Sequence, residues 1–287
     1  MIKLGLSSYS LSQAINKGEM DLPGAVRFVA ENGGSHLEIS PGATKLAENP
    51  DLITRILDTA KEVGIEISSY TIGANFIKPT PEEYRAEVER IKKEVEIGAR
   101  LGVRRMRHDA GSRPIPETSF EQFEKDLPAI VDACGEVADV AAKYGITTSI
   151  ENHGFHFQAS ERIQRLILAV GRDNFRTTLD VGNFLCVDED PEAATLNNIG
   201  YASHVHFKDF HIRRNPPVKD GYIKTAHGRF LRGAITGDGD VNLDAIVKII
   251  KNAGYKGFLS IEYEGWEECR SACTRALKNV QELLNRN

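Results

Sequence analysis

Tryptophan occurs once in the 287 residues, methionine three times and cysteine four times. Cys134, Cys186, Cys269 and Cys273 show neither the paired spacing of a zinc site nor the pattern of a disulfide framework. Cys269 and Cys273 fall in one helical stretch and read as idle or buried thiols. No apolar run approaches the length of a membrane span, so no membrane partner is expected. The opening MIKLGLSSYS starts directly as a strand, without the charged and apolar regions of a secretory leader, and a reducing, cytoplasmic setting is the default. Positive charge is not in excess either: 36 Lys and Arg against 41 Asp and Glu give a net charge of −5, which argues against nucleic acid as a partner. There is no Gly-x-Gly-x-x-Gly after the first strand to suggest dinucleotide binding. No linker, low-complexity tract or composition shift divides the chain, which reads as a single domain over 1–287.

What is present is a recurring punctuation: an amphipathic helical stretch, a glycine, then a short strand. It runs through "AENGGSHLEIS", "AKEVGIEISSY", "GARLGVRRMRH", "AAKYGITTSIEN", "LAVGRDNFRTTLD", "NNIGYASHVHF" and "KNAGYKGFLSIE". The glycines are Gly33, Gly64, Gly102, Gly145, Gly171, Gly200 and Gly254. A glycine just past a helix takes the left-handed conformation that ends the last turn. The stripes Tyr84, Val88, Ile91, Val95 and Leu243, Ile246, Val247, Ile250 have helical period, and Asn242 is an N-cap for the second. With the opening strand over about residues 2–8 and a closing helix over about 266–285, the chain makes eight β–α units. Eight regular units in this length predict an α/β fold of one kind, a single closed (β/α)8 TIM barrel.

Strand residues alternate between the two sides of the sheet. In "TTSIE" the alternation turns Ile150 outward and Glu151 inward; in "RTTLD" it turns Leu179 outward and Asp180 inward. In "HVHF" Val205 and Phe207 face outward and His206 inward, and in "LSIE" Ile261 faces outward and Glu262 inward. Four successive strands therefore deliver Glu151, Asp180, His206 and Glu262 to the C-terminal end of the barrel, where such folds build active sites. Three carboxylates converging without a cation repel one another, and burying them unpaired costs several kcal/mol. A divalent ion accepting carboxylate oxygen and one imidazole removes the conflict; Mn²⁺ suits this donor set first, Mg²⁺ or Co²⁺ next.

Other polar residues share that end. His153, two residues past Glu151 in "ENHGFHF", leans toward the mouth as an acid–base or substrate-contact candidate. Glu38 on the second strand and His108 at the end of the fourth are candidate substrate contacts, and Lys208 and His211 continue the seventh strand past His206. Lys208 is the stronger substrate candidate of that pair. Arg105 and Arg107 fit no helix-facing side. Between the seventh strand and its helix runs "IRRNPPVKDGYIKTAHGRFLRGAITGDGDV". A loop of about thirty residues is commonly a lid, and Arg213, Arg214, Arg229 and Arg232 suit a cover over a polar substrate, with Arg213 as a substrate contact.

The strings "SIEN", "LDVGN", "HVHFKD" and "SIEYEG" carry a family likeness. Along essentially its whole length the chain resembles the xylose-isomerase-like TIM barrels grouped as sugar phosphate isomerases/epimerases. The resemblance implies one divalent metal held by Glu151, Asp180, His206 and Glu262, with Glu151 and Glu262 also moving the substrate proton. Where ketose 3-epimerases usually carry a histidine three residues after the aspartate, this chain has Asn183, a further candidate substrate contact. The additional histidines of the AP endonuclease branch are not evident. The implied chemistry is proton abstraction next to the carbonyl of a small carbohydrate, returned as isomerisation or epimerisation. The alternative is a lyase expelling a β-substituent: a sugar or cyclitol dehydratase, or the catalytic subunit of a C-glycoside deglycosidase acting on a 3-oxo-glycoside. A homo-oligomer is expected, or a hetero-oligomer with a small β-sandwich subunit in the deglycosidase case. A sugar-binding protein without catalysis would need neither Glu151 nor Glu262 as a base.

Overall fold

The computed structural model describes residues 1–287. Seven parallel strands come first in the chain: β1 (Lys3–Ser7), β2 (His36–Ile39), β3 (Glu66–Ile72), β4 (Arg105–His108), β5 (Thr147–Glu151), β6 (Phe175–Asp180) and β7 (Ala202–Phe207). Three short strands follow, β8 (Asp209–Arg213), β9 (Ile223–Lys224) and β10 (Phe230–Ala234), and then β11 (Phe258–Ile261). The seven and β11 close in the order β1-β11-β7-β6-β5-β4-β3-β2, the α/β barrel that the eightfold punctuation predicts. Outside it run α1 (Ser12–Asn16), α2 (Leu22–Glu31), α3 (Pro50–Val63), α4 (Pro81–Arg100), α5 (Phe120–Ala142), α6 (Ser160–Val170), α7 (Pro191–Asn198), α8 (Leu243–Asn252) and α9 (Cys269–Arg286). None is long and apolar enough to cross a membrane.

Outward strand residues such as Leu37, Ile39, Ile150, Leu179, Val205, Phe207, Leu259 and Ile261 are buried against this ring. The helices answer with Val88, Ile91 and Val95 on α4 and Leu243, Ile246, Val247 and Ile250 on α8, all buried. Asn242 caps α8 by accepting from the Ala245 N–H at 3.3 Å. Gly33, Gly64, Gly102, Gly145, Gly171 and Gly254 are left-handed, as their helix-stop role requires. Gly200 is the exception. It sits in the 3-10 turn Ile199–Tyr201 that runs straight into β7, so no left-handed stop is needed.

The long segment after β7 is not a structureless loop. Its three strands form an antiparallel sheet ordered β8-β10-β9. The seventh barrel strand thus ends at Phe207, and His211 belongs to the second sheet. Asp209 sets the change of direction: its buried carboxylate accepts the N–H groups of Phe210, Gly237, Gly239 and Val241. On one side the sheet bonds to the loop after β6, where the Ala226 N–H donates to the Cys186 carbonyl. On the other it bridges Gly233 to Gly265 after β11, where Trp266 is flanked by Lys219 and Arg232. A Cβ on Gly233 would lie 2.0 Å from the Glu264 carbonyl oxygen, so only glycine allows the bridge.

Low in the barrel, His36 is fully buried. Its Nε2 faces the carbonyls of Lys3 and Leu259 and its Nδ1 lies 2.8 Å from the Ser68 hydroxyl, a set that suits the neutral ring with the proton on Nε2. Burial pushes its pKa down to about 4. Because the unfolded ring titrates near 6.5, the unfolded chain binds the extra proton first as pH falls. Stability is therefore expected to decline below that pH, by at most about 1.4 kcal/mol per unit for this one site, until the folded ring also protonates. Chemical denaturation between pH 7 and 4, compared with His36→Gln, measures the contribution; an equal slope in both proteins would refute it.

Candidate active site

Register brings the four carboxylate and imidazole residues together. Asp180 on β6 pairs with His206 on β7, and the Glu262 N–H donates to the Phe207 carbonyl just past β11. One ligand atom each from Glu151, Asp180, His206 and Glu262 lies within 4.8 Å of all the others. All four residues are buried.

The atoms are also aimed. Asp180 Oδ1 accepts the N–H groups of Gly182 and Asn183 at 2.8 and 2.9 Å, which leaves Oδ2 without a hydrogen bond. Gly182 is needed here because a Cβ would meet the Lys208 carbonyl oxygen at 2.4 Å. His206 donates from Nε2 to Glu38 at 2.7 Å, and its Nδ1, facing Glu151 and Glu262, has no hydrogen-bond partner. A buried carboxylate oxygen without a hydrogen bond and a buried, unpartnered imidazole nitrogen among carboxylates are what a divalent cation satisfies once it displaces the ring proton, so the donor set fits such an ion. Side-chain cations also counter the crowding of the carboxylates: Lys208 Nζ lies 2.8 Å from Glu262 and 3.7 Å from Asp180, and Arg107 lies 2.9 Å from Glu151.

These contacts set the titration of the cluster. Burial opposes charge on Glu151, yet Arg107, His206 and Lys208 hold its carboxyl well below the usual range. Burial likewise opposes charge on His206, but Glu38, Glu151 and Glu262 hold it well above the ordinary imidazole value. Asp180 is pushed up, first by burial and then by Glu151 and Glu262, against the attraction of Lys208. An anion destabilised by its neighbours is stabilised by a nearby metal charge.

The remaining candidates divide. Asn183 lies in the cluster, donating to Glu151 at 2.9 Å and facing Lys208 Nζ at 3.3 Å. Lys208 is buried and also 3.4 Å from Glu264. His153 is exposed at the rim, where Asp109, 3.5 Å from its Nδ1, raises its pKa. Glu38 is corrected: it is fully buried, bonded to His206 and Thr71, and supports the imidazole instead of meeting a substrate. His108 is corrected as well. It turns outward between Phe76 and Phe175, with Nδ1 2.9 Å from the Asp109 carbonyl. Arg213 ends β8 exposed and donates to the Asn215 carbonyl, away from the cluster. Of its companions, Arg229 lies beside Asp188, and Arg232 stands over Trp266 near Glu267.

Sequence reasoning missed Arg107, Asp109, Tyr9 and Glu264. Arg107 bonds Asp109 at 2.7 Å as well as Glu151, and the Tyr9 hydroxyl donates to Glu264 at 2.8 Å. For Arg107 the signal existed: with Met106 buried outward, alternation turns Arg105 and Arg107 inward. Tyr9 sits in a single 3-10 turn and Asp109 and Glu264 on loops beyond the strands, where strand alternation does not reach.

The description "Xylose isomerase-like TIM barrel" matches residues 26–282, and the chain belongs to that family. It is similar to an inosose dehydratase of Clostridium perfringens (strain 13 / Type A), 24% identical over 154 residues, which cover 53% of this chain and 52% of that protein. The chain thus spans about half the length of the curated relatives it matches first. Among solved structures it is similar to 3-keto-D-glucoside 4-epimerase, YcjR, from E. coli, with a TM-score of 0.74, 18% identity and coverage of 98% of this chain and 100% of that one. It is similar, too, to D-psicose 3-epimerase of Clostridium cellulolyticum H10, with a TM-score of 0.74, 16% identity and 99% of each chain covered. At these identities the structural likeness carries the fold alone.

Proposed function

We propose that the protein is a divalent-metal-dependent enzyme that removes a proton next to the carbonyl of a small polyhydroxylated substrate, as a sugar isomerase or epimerase. The observation that carries this reading is the buried convergence of Glu151, Asp180, His206 and Glu262, in which Asp180 Oδ2 and His206 Nδ1 make no hydrogen bond. Those four residues would hold the ion, Mn²⁺ before Mg²⁺ or Co²⁺. When bound, it would supply Lewis acidity to the substrate carbonyl. The protein's own contribution is acid–base and positional. Arg107 and Asn183 hold the two oxygens of Glu151 in place, and Lys208 does the same for one oxygen of Glu262. The two glutamates come from opposite sides of the cluster, so one can take a proton while the other returns one. The Lys208 ammonium, kept charged by Glu262, Asp180 and Glu264 despite burial, would donate a hydrogen bond to a substrate oxygen.

A second reading, dehydration by the same enolisation, is favoured by His153. An exposed imidazole poised beside Asp109 at the rim can deliver a proton to a departing hydroxyl. The inosose dehydratase relatives support it. One experiment separates the two: the metal-loaded protein is incubated in D₂O with a panel of ketoses, 3-keto-glycosides and inososes. Deuterium entering recovered substrate or its epimer, without loss of water, is the expected result. Enone formation on an inosose would favour the dehydratase, and neither exchange nor elimination on any member would refute both.

A further inference from the structure

The end of the barrel opposite the carboxylate cluster holds a second concentration of charge, of the other sign. The N-terminal ends of β4, β5, β6 and β7 and the turn before β11 enclose a cavity of about 640 Å³. Arg104, Arg105, Arg176 and Lys256 line it, with Asp173 as the one carboxylate. We infer that this bowl is a binding site for a small phosphorylated anion, separate from the active site.

What sets this group apart is that four cations line one cavity and none is neutralised by a carboxylate. Elsewhere on this acidic protein Arg27, Arg85, Arg113 and Arg172 each face a carboxylate within hydrogen-bond distance. No carboxylate comes within ion-pair distance of any of the four in the bowl. Arg105 is fixed rather than loose: its Nε donates to the Ser203 carbonyl at 2.9 Å, and its guanidinium lies 4.9 Å from the centre of the Phe258 ring. That leaves both terminal nitrogens without a protein acceptor. Arg176 is arranged alike, with Nε on the Asp173 carbonyl at 3.1 Å and its terminal nitrogens free. The Thr147 hydroxyl makes no side-chain hydrogen bond, and Gly145, Gly200 and Gly257 leave the rim without side chains. Four like charges around one cavity favour an entering anion, and guanidinium forks match phosphate oxygens two at a time. The volume suits a small molecule.

The test is calorimetric titration of the metal-loaded protein with fructose 1,6-bisphosphate, inorganic phosphate and free fructose at physiological salt. The bisphosphate is expected to saturate one site per chain, and free fructose not to compete for it. The Arg104→Ala/Arg176→Ala double variant, and separately Lys256→Ala, should weaken binding, the double variant by about tenfold or more. Asp173→Asn should tighten it. Asp180→Asn, at the far end of the barrel, should bind as the metal-free parent does. If inorganic phosphate binds as well as the bisphosphate, the ligand is the free anion; if it binds far more weakly, the ligand is a phosphate ester. No saturable binding of either phosphate, equal affinity in the double variant, or loss of binding in Asp180→Asn would each overturn the inference.

Discussion

Asp180→Asn and His206→Ala are expected to lose the divalent ion, the first with its fold intact and the second less stable as well, because it leaves the buried Glu38 carboxylate without its imidazole partner. Each removes a buried atom that makes no hydrogen bond in the cluster, Oδ2 in one case and Nδ1 in the other. Replacing a ligand should lower metal affinity by at least about 100-fold, since even groups bonded behind a ligand are worth about 10–100-fold. Glu38→Gln belongs to that milder class, because Glu38 bonds Nε2 of His206 from below. Stability should move in the opposite direction. Without a metal, deleting the Asp180 charge relieves repulsion with Glu151 and Glu262, so the metal-free variant should melt no lower than the metal-free parent. Only the parent should gain in melting temperature as Mn²⁺ is added, by mass action on the folded state. Full metal content in both variants after dialysis would show that the cluster is not a metal site.

Glu151→Gln and Glu262→Gln, each reloaded with metal, are expected to lose solvent deuterium exchange by about 10²–10⁴-fold while substrate affinity changes little. A proton-transfer group acts in the transition state, so its loss appears in turnover more than in binding. The two oxygens of Glu151 are occupied by Arg107 and Asn183, which ties its position to its charge. Glutamine keeps the shape and loses the basicity. If His153 is the base instead, His153→Ala abolishes exchange and at least one glutamine variant retains it. Exchange retained in all three variants would remove these residues from proton transfer.

The inward set was legible because strand alternation is strict. Once Ile150, Leu179, Val205 and Ile261 are read as outward, Glu151, Asp180, His206 and Glu262 have one direction left. The same rule applied to "RMRH" would have turned Arg107 inward and His108 outward; reading His108 by its chemistry alone led to the wrong side. Glu38 shows a different limit. Alternation turns it inward correctly, but depth along the barrel depends on how far each strand is shifted against its neighbour. The irregular register of β2 against β3 lies at this residue. That shift decides whether an inward carboxylate meets solvent at the mouth or an imidazole beneath it.

The second sheet was out of reach for a related reason. β8 and β10 pair in antiparallel register, Arg213 with Phe230 and Asp209 with Ala234, across the intervening chain. Their pairing depends on Asp209 gathering four backbone N–H groups and on the docking of Trp266, neither of which has a period. The sequence by itself determined the closed barrel and the four residues of its acidic cluster, because glycine stops and two-residue alternation are local rules. Only the tertiary structure decided which neighbours support that cluster, which arginines face it and where four unpaired cations collect at the other end, because those depend on strand shifts and loop contacts between residues far apart in the chain.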